Sequence, residues 1–144
     1  MAPKPKLISA ILKEIQDTPG RKEKIQKLQE FKTNGPLIAI LQAVFDERIV
    51  FQLPTGEPPY TVPEDMIDNT AGLYQEFRKF YIFTKNQRSA NMKQMKREMA
   101  FIQMLESVHP DEAKLLLSMK EKKMPYKGIT KKLITDAYGE DFVK

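Results

Sequence analysis

Apolar residues recur every three or four positions along almost the whole chain, and a stripe of that period is buried by packing helix against helix. No hairpin or strand–helix–strand pattern competes with it. Leu7, Ile8, Ile11, Leu12 and Ile15 define one face of a first helix. Thr18 reads as the N-cap and Pro19 as the first position of a second helix. That helix turns Ile25, Leu28 and Phe31 inward among Arg21, Lys22, Lys24, Lys27 and Lys32. Asn34, Gly35 and Pro36 restart the chain as a third helix. Its Leu37, Ile38, Leu41, Val44 and Phe45 suit a buried, central element.

The period breaks once. "RIVFQL" reads as a short extended piece, and the four prolines and one glycine of "PTGEPPYTVP" admit no regular element, giving a Pro-rich loop over residues 54–64. The helical pattern resumes over Thr70 to Phe83, burying Leu73, Phe77 and Phe80 with Tyr74 or Tyr81. The polar "TKNQRSAN" leads to a fifth helix with Met92, Met95, Met99, Ile102 and Leu105 on one stripe. These methionines read as core rather than as an adaptable binding groove. Pro110 opens a sixth helix around Ala113, Leu116 and Leu117. Gly128 separates it from a last one carrying Leu133, Ile134, Ala137 and Tyr138. The expectation is one all-α domain, residues 1–144, of about seven helices.

Much chemistry is missing from the sequence. The 144 residues contain no cysteine, so disulfides, thiolate catalysis and Cys-based zinc sites are excluded. The single histidine, His109, directly before Pro110, reads as a turn or cap rather than a metal ligand or general base. No G-x-x-x-x-G-K-[ST] or G-x-G-x-x-G motif is present. The acidic pairs Asp46–Glu47, Glu64–Asp65 and Glu140–Asp141 read as solvated faces, because adjacent residues on a helix point apart. No enzyme and no cofactor is expected. No apolar run approaches the roughly 20 residues that cross a bilayer, and "MAPKPKLISAILKEI" does not read as a secretory leader. The expected setting is intracellular, away from membranes.

Charge is what remains. The formal net charge is +5, and its distribution is uneven. No acid occurs from Phe77 to Arg97, a stretch containing Arg78, Lys79, Lys85, Arg88, Lys93, Lys96 and Arg97. From Lys120 to Lys132 the only acid is Glu121, set against Lys120, Lys122, Lys123, Lys127, Lys131 and Lys132. Each run adjoins a helix start, where unpaired N–H groups and the helix dipole favour an anion. "YKGITKK" can therefore hold a phosphate, with Gly128 letting the backbone come close and Thr130 capping the helix or touching the ligand. An ordinary loop–cap–helix junction with solubilising lysines explains the same residues, and both readings stand.

"KREMAFIQMLESVHPDEAKLLLSMKEKKMPYKGITKKLITDAYG" resembles the end of the all-helical, N-terminal DNA-binding domain of ATP-dependent DNA ligases. The matched features are Glu112–Ala113 at a helix start, the aliphatic run Leu115 to Leu117, the basic turn Lys122–Lys123, Gly128–Ile129–Thr130, and a short final helix. "LISAILKEIQDTPGRKEKIQKLQEF" is similar to that family's opening pair of helices. The whole chain also resembles a family of proteins from tailed phages related to the T-even group, which carries no implied activity. The chain lacks the K-x-D-G motif of an adenylation domain, so the resemblance implies DNA binding without ligation. It implies largely sequence-independent contact with the backbone of duplex or nicked DNA in the cytoplasm of an infected bacterium. Lys122, Lys123, Lys127, Gly128, Thr130, Lys131 and Lys132 would form the first contact, and Arg88 and Lys93 a second. The ligase turn at that second place carries a glycine that "KNQRSAN" lacks. A protein-interaction or virion structural role is the alternative, with the proline loop and Tyr60 as contact surface and a replication, repair or virion protein as partner.

Overall fold

The computed structural model describes residues 5–144, so Met1 to Lys4 of the segment read against a secretory leader lie outside it. Seven α-helices and three 3-10 segments make up its regular structure. Helix α1 (Ile8–Asp17) buries Ile8, Ile11, Leu12 and Ile15 completely, as the spacing of one, four, five and eight requires. Each such side chain contributes on the order of 2 kcal/mol of transfer free energy.

Helix α2 (Arg21–Glu30) starts later than expected. Thr18 does not cap it: its hydroxyl donates to the Glu14 carbonyl (2.7 Å) and closes α1 instead. Gly20 makes the entry to α2 at φ 85°, a left-handed geometry that a glycine adopts without strain. Only Leu28 of α2 is fully buried, with Ile25 and Phe31 half-buried beside it.

Helix α3 (Gly35–Phe45) is the apolar centre. The Asn34 side chain accepts from Leu37 N–H (3.1 Å), and Pro36 sits in the first turn where no amide is needed. Ile40 and Ala43 join Leu37, Leu41 and Val44 in the core, while Ile38 and Phe45 are half-buried.

The extended piece after α3 makes one antiparallel bridge, Phe51 with Thr84; Gln52 N–H donates to Phe83 O and Lys85 N–H to Val50 O, both at 2.8 Å. The helix expected over Thr70 to Phe83 is broken. A 3-10 segment (Glu64–Asp68) precedes a short α4 (Gly72–Glu76), and Phe77–Phe83 is again 3-10. A three-residue turn eclipses residues three apart, and here those residues are Phe77, Phe80 and Phe83, all set against the core. Gly72 is enclosed: a Cβ there would lie 2.6 Å from the Ser107 carbonyl.

Helix α5 (Gln94–Leu105) corrects the methionine stripe. Met95 is 78% exposed and Met99 51%, while the buried face is Arg97, Phe101, Met104 and Leu105. Phe101 meets Phe83 edge-on, with ring centroids 5.2 Å apart. Helix α6 (Pro110–Lys120) begins at His109, whose Nδ1 accepts from Asp111 N–H (3.0 Å). It packs on α1, α3 and α5, burying Ala113, Leu115, Leu116 and Met119. Helix α7 (Lys131–Tyr138) packs on α2, where the Tyr138 hydroxyl donates to Leu28 O. Burial pushes the Tyr138 hydroxyl up to about 12.

Candidate nucleic-acid interface

The basic turn between α6 and α7 is set by its two ends. At the first, Lys122 takes φ 60° and points its ammonium at the end of α3. There it donates to the carbonyls of Ala43, Asp46 (2.8 Å) and Ile49 (2.8 Å). An ammonium has three protons, and all three are used. Burial holds the Lys122 pKa below its ordinary value, with Lys131 also lowering it and the Asp46 carboxylate opposing. Lys122, expected from sequence to contact phosphate, thus caps a helix C-terminus and has no ammonium proton left for a phosphate.

At the other end, Gly128 has φ 80° and lies exposed on the α1–α2 corner. Lys127 N–H donates to Gln16 Oε1 (2.7 Å). Beneath the turn, the Lys24 ammonium donates to the carbonyls of Ile15 (3.1 Å), Gln16 (2.8 Å) and Thr18 (2.5 Å), closing α1 as Lys122 closes α3. Ile129 plugs into the core. Thr130 is the N-cap of α7: its Oγ1 accepts from Leu133 N–H (3.2 Å), and the first intrahelical bond runs from Ile134 N–H to Thr130 O. The amides of Lys131 and Lys132 precede that bond and lack a partner inside the helix.

The lysines of the turn are not equivalent, and Lys123 lines a hollow with Glu57 and Glu121. Lys131 donates to the backbone carbonyl of Lys144 (2.6 Å) and lies 3.7 Å from Glu47. Lys123, Lys127 and Lys132 are exposed, and among the described residues none of them forms an ion pair. Acidic residues near the turn are largely committed elsewhere. Asp136 pairs with Arg21 of α2, and Asp46, expected to be solvated, is buried and paired with the exposed Arg48 (2.7 Å).

The second basic run is a separate place. No substantial packing joins α7 to the segment carrying Arg88 or to α5. The Arg88 guanidinium lies 3.8 Å from the centroid of the Tyr81 ring, and Lys93 is exposed at the N-cap of α5. Asn86 builds the intervening turn (Gln87–Ser89) without glycine. Its Oδ1 accepts from Ser89 N–H (3.2 Å), and its amide donates to the carbonyls of Tyr81 (2.7 Å) and Thr84 (2.8 Å). Arg97 is interior, donating to Ile82 O, Ser89 O and Gln94 Oε1.

Beside the turn is a groove of about 430 Å³ whose walls include Leu7, Ala10, Lys13, Lys114, Leu115 and Tyr126. Sequence reasoning did not single out Lys13, Lys114 or Tyr126. The available signal was Tyr126 itself, an aromatic ring inside the lysine run. Glu112 supports the groove from below. Its carboxylate accepts from Ile8 N–H (2.6 Å) and Ser9 N–H (3.1 Å), capping α1 from α6. Burial holds the Glu112 pKa above the ordinary range, against the pull of these two amides.

The proline loop lies against the body. Gly56 N–H donates to Glu121 Oε1 (3.2 Å), Thr61 N–H to Glu106 Oε2 (2.9 Å) and the Lys120 ammonium to Pro54 O (3.0 Å). Tyr60, expected as a contact surface, packs half-buried against the core. Among the described residues no group of His, Asp and Glu side chains is placed to hold a metal ion, and no helix is long and apolar enough to cross a membrane.

Residues 11–126 match the model of a family of unknown function, DUF6433, and the chain belongs to that family. The matched span runs from within α1 to Tyr126, stopping just before Lys127. No curated protein matches the chain.

Proposed function

We propose that this DUF6433 protein is a non-enzymatic nucleic-acid-binding protein that grips the phosphate backbone at the turn between α6 and α7. One observation carries the reading: Lys127 and Lys132 are exposed beside the capped start of α7, Lys123 is exposed earlier in the same turn, and among the described residues none of the three forms an ion pair. Gly128 exposes the backbone there, and the amides of Lys131 and Lys132 add uncharged donors. The resemblance to ligase DNA-binding domains supports duplex or nicked DNA as a ligand. Affinity comes from phosphate neutralisation and counterion release, with no base read directly.

The test is fluorescence anisotropy of labelled intact and nicked duplexes across a salt series. Three lysine–phosphate contacts give log affinity a slope of about −3 against log salt. Each single Lys→Gln change at Lys123, Lys127 or Lys132 reduces that slope by about one. Lys122→Gln leaves the slope unchanged. No binding at low salt, or a slope indifferent to all three lysines, rules the reading out.

The exposed Met95 and Met99 favour a second reading, a protein-interaction or virion component. In that case a lysine-reversed variant keeps its partner, while Met95→Lys with Met99→Lys loses it.

A further inference from the structure

We infer that the groove walled by Tyr126, Lys13 and Lys114 takes a base and the flanking phosphates of single-stranded nucleic acid; the inference rests on the nucleic-acid reading above. Its volume of about 430 Å³ is ample for a nucleoside-sized group. Leu7, Ala10, Leu115 and Pro125 give it apolar walls, and Tyr126 is the one aromatic ring among them. Lys13 and Lys114 come from α1 and α6 and are both exposed, so cations stand on the two helices that bound the groove. Lys127 follows Tyr126 directly, and its amide is tied to Gln16 of α1. A backbone leaving the groove therefore runs onto the lysines of the turn.

An apolar slot with a ring for stacking and cations along its edges is the arrangement that holds unpaired bases. A paired base in a duplex has its faces covered by neighbouring bases and cannot enter. Asp111 also lines the groove and disfavours a phosphate deep inside it, which places the phosphates at the rim and the base within.

The chain contains no tryptophan, so Tyr126→Trp introduces a single reporter. Its fluorescence should be quenched by an oligo-dC strand and unaffected by a blunt duplex of equal length. Tyr126→Leu keeps an apolar side chain and removes the ring. It should weaken the single strand by about tenfold or more, the usual size of one base–aromatic stack, with duplex affinity and circular dichroism as in the parent chain. Lys13→Ala with Lys114→Ala should weaken the single strand selectively as well. If Tyr126→Leu binds the single strand as tightly as the parent, or the tryptophan stays unquenched at saturation, the groove is not the site although the backbone reading stands. If neither strand form binds at low salt, the backbone reading itself fails and takes this one with it.

Discussion

The ammonium of Lys122 donates to the backbone carbonyl of Asp46 at 2.8 Å, across the gap between the end of α6 and the end of α3. The Asp46 carboxylate turns the other way, to Arg48. A cation that reads from sequence as surface charge is thus part of the packing between two helices. Lys122→Ala leaves the final carbonyls of α3 without that donor. Loss of charged hydrogen bonds of this kind costs about 2 kcal/mol, measurable as a lower urea midpoint. Nucleic-acid affinity at a temperature where both forms are folded should not change.

Arg97 supplies three hydrogen bonds from inside the protein, to Ile82 O (2.9 Å), Ser89 O (2.9 Å) and Gln94 Oε1 (2.6 Å). Arg97→Met preserves bulk and strands two backbone carbonyls, with a cost of about 3 kcal/mol. Arg97→Lys should recover little of it, because a single ammonium cannot span the positions that the planar guanidinium reaches. Thermal unfolding of the two variants checks this.

Two carboxyls give stability opposite dependences on pH. Arg48 holds the Asp46 pKa far below its ordinary 3.8, so the stabilisation is present above that value and disappears as acid protonates the folded state. Burial holds the Glu112 pKa above its ordinary 4.5, so its contribution is complete below 4.5 and is lost as pH rises through the raised value. In urea titrations, the deficit of Asp46→Asn should therefore shrink as pH falls towards about 3. Glu112→Gln should gain on the parent chain as pH rises from about 4 to about 7.

Gly128 combines a φ of 80° with a Lys24 carbon 3.4 Å from where a Cβ would stand. Gly128→Ala should lose about 1 kcal/mol of stability through backbone strain. It should also weaken nucleic acid by shifting the turn, seen as an affinity loss with the salt slope retained.

The local signals were readable where the chain talks to itself. Asn34, Gly35 and Pro36 mark the start of α3, and Thr130 caps α7, because a cap and its amide lie three residues apart. The three-residue interval of Phe77, Phe80 and Phe83 was also present in the sequence, as a 3-10 period inside a segment read as α-helix. Thr18 misled because a good N-cap residue can equally close the preceding helix. Met95 and Met99 were beyond reach, since a period names a face without saying whether another element will cover it. The acceptors of Lys122 lie on α3, so only the tertiary fold separates that lysine from Lys123 beside it. The groove at Tyr126 likewise exists only where α1 meets α6.

The single bridge between Phe51 and Thr84 makes everything between them an excursion that returns to its own starting point. Its two flanking amides, Gln52 and Lys85, bond across the neck. If the excursion opens as a unit, both amides exchange with solvent at one common rate, and the neck becomes a clock for that opening. The proline loop could then be shortened or replaced at its tip while the clock, and the helices on either side of it, keep the same time.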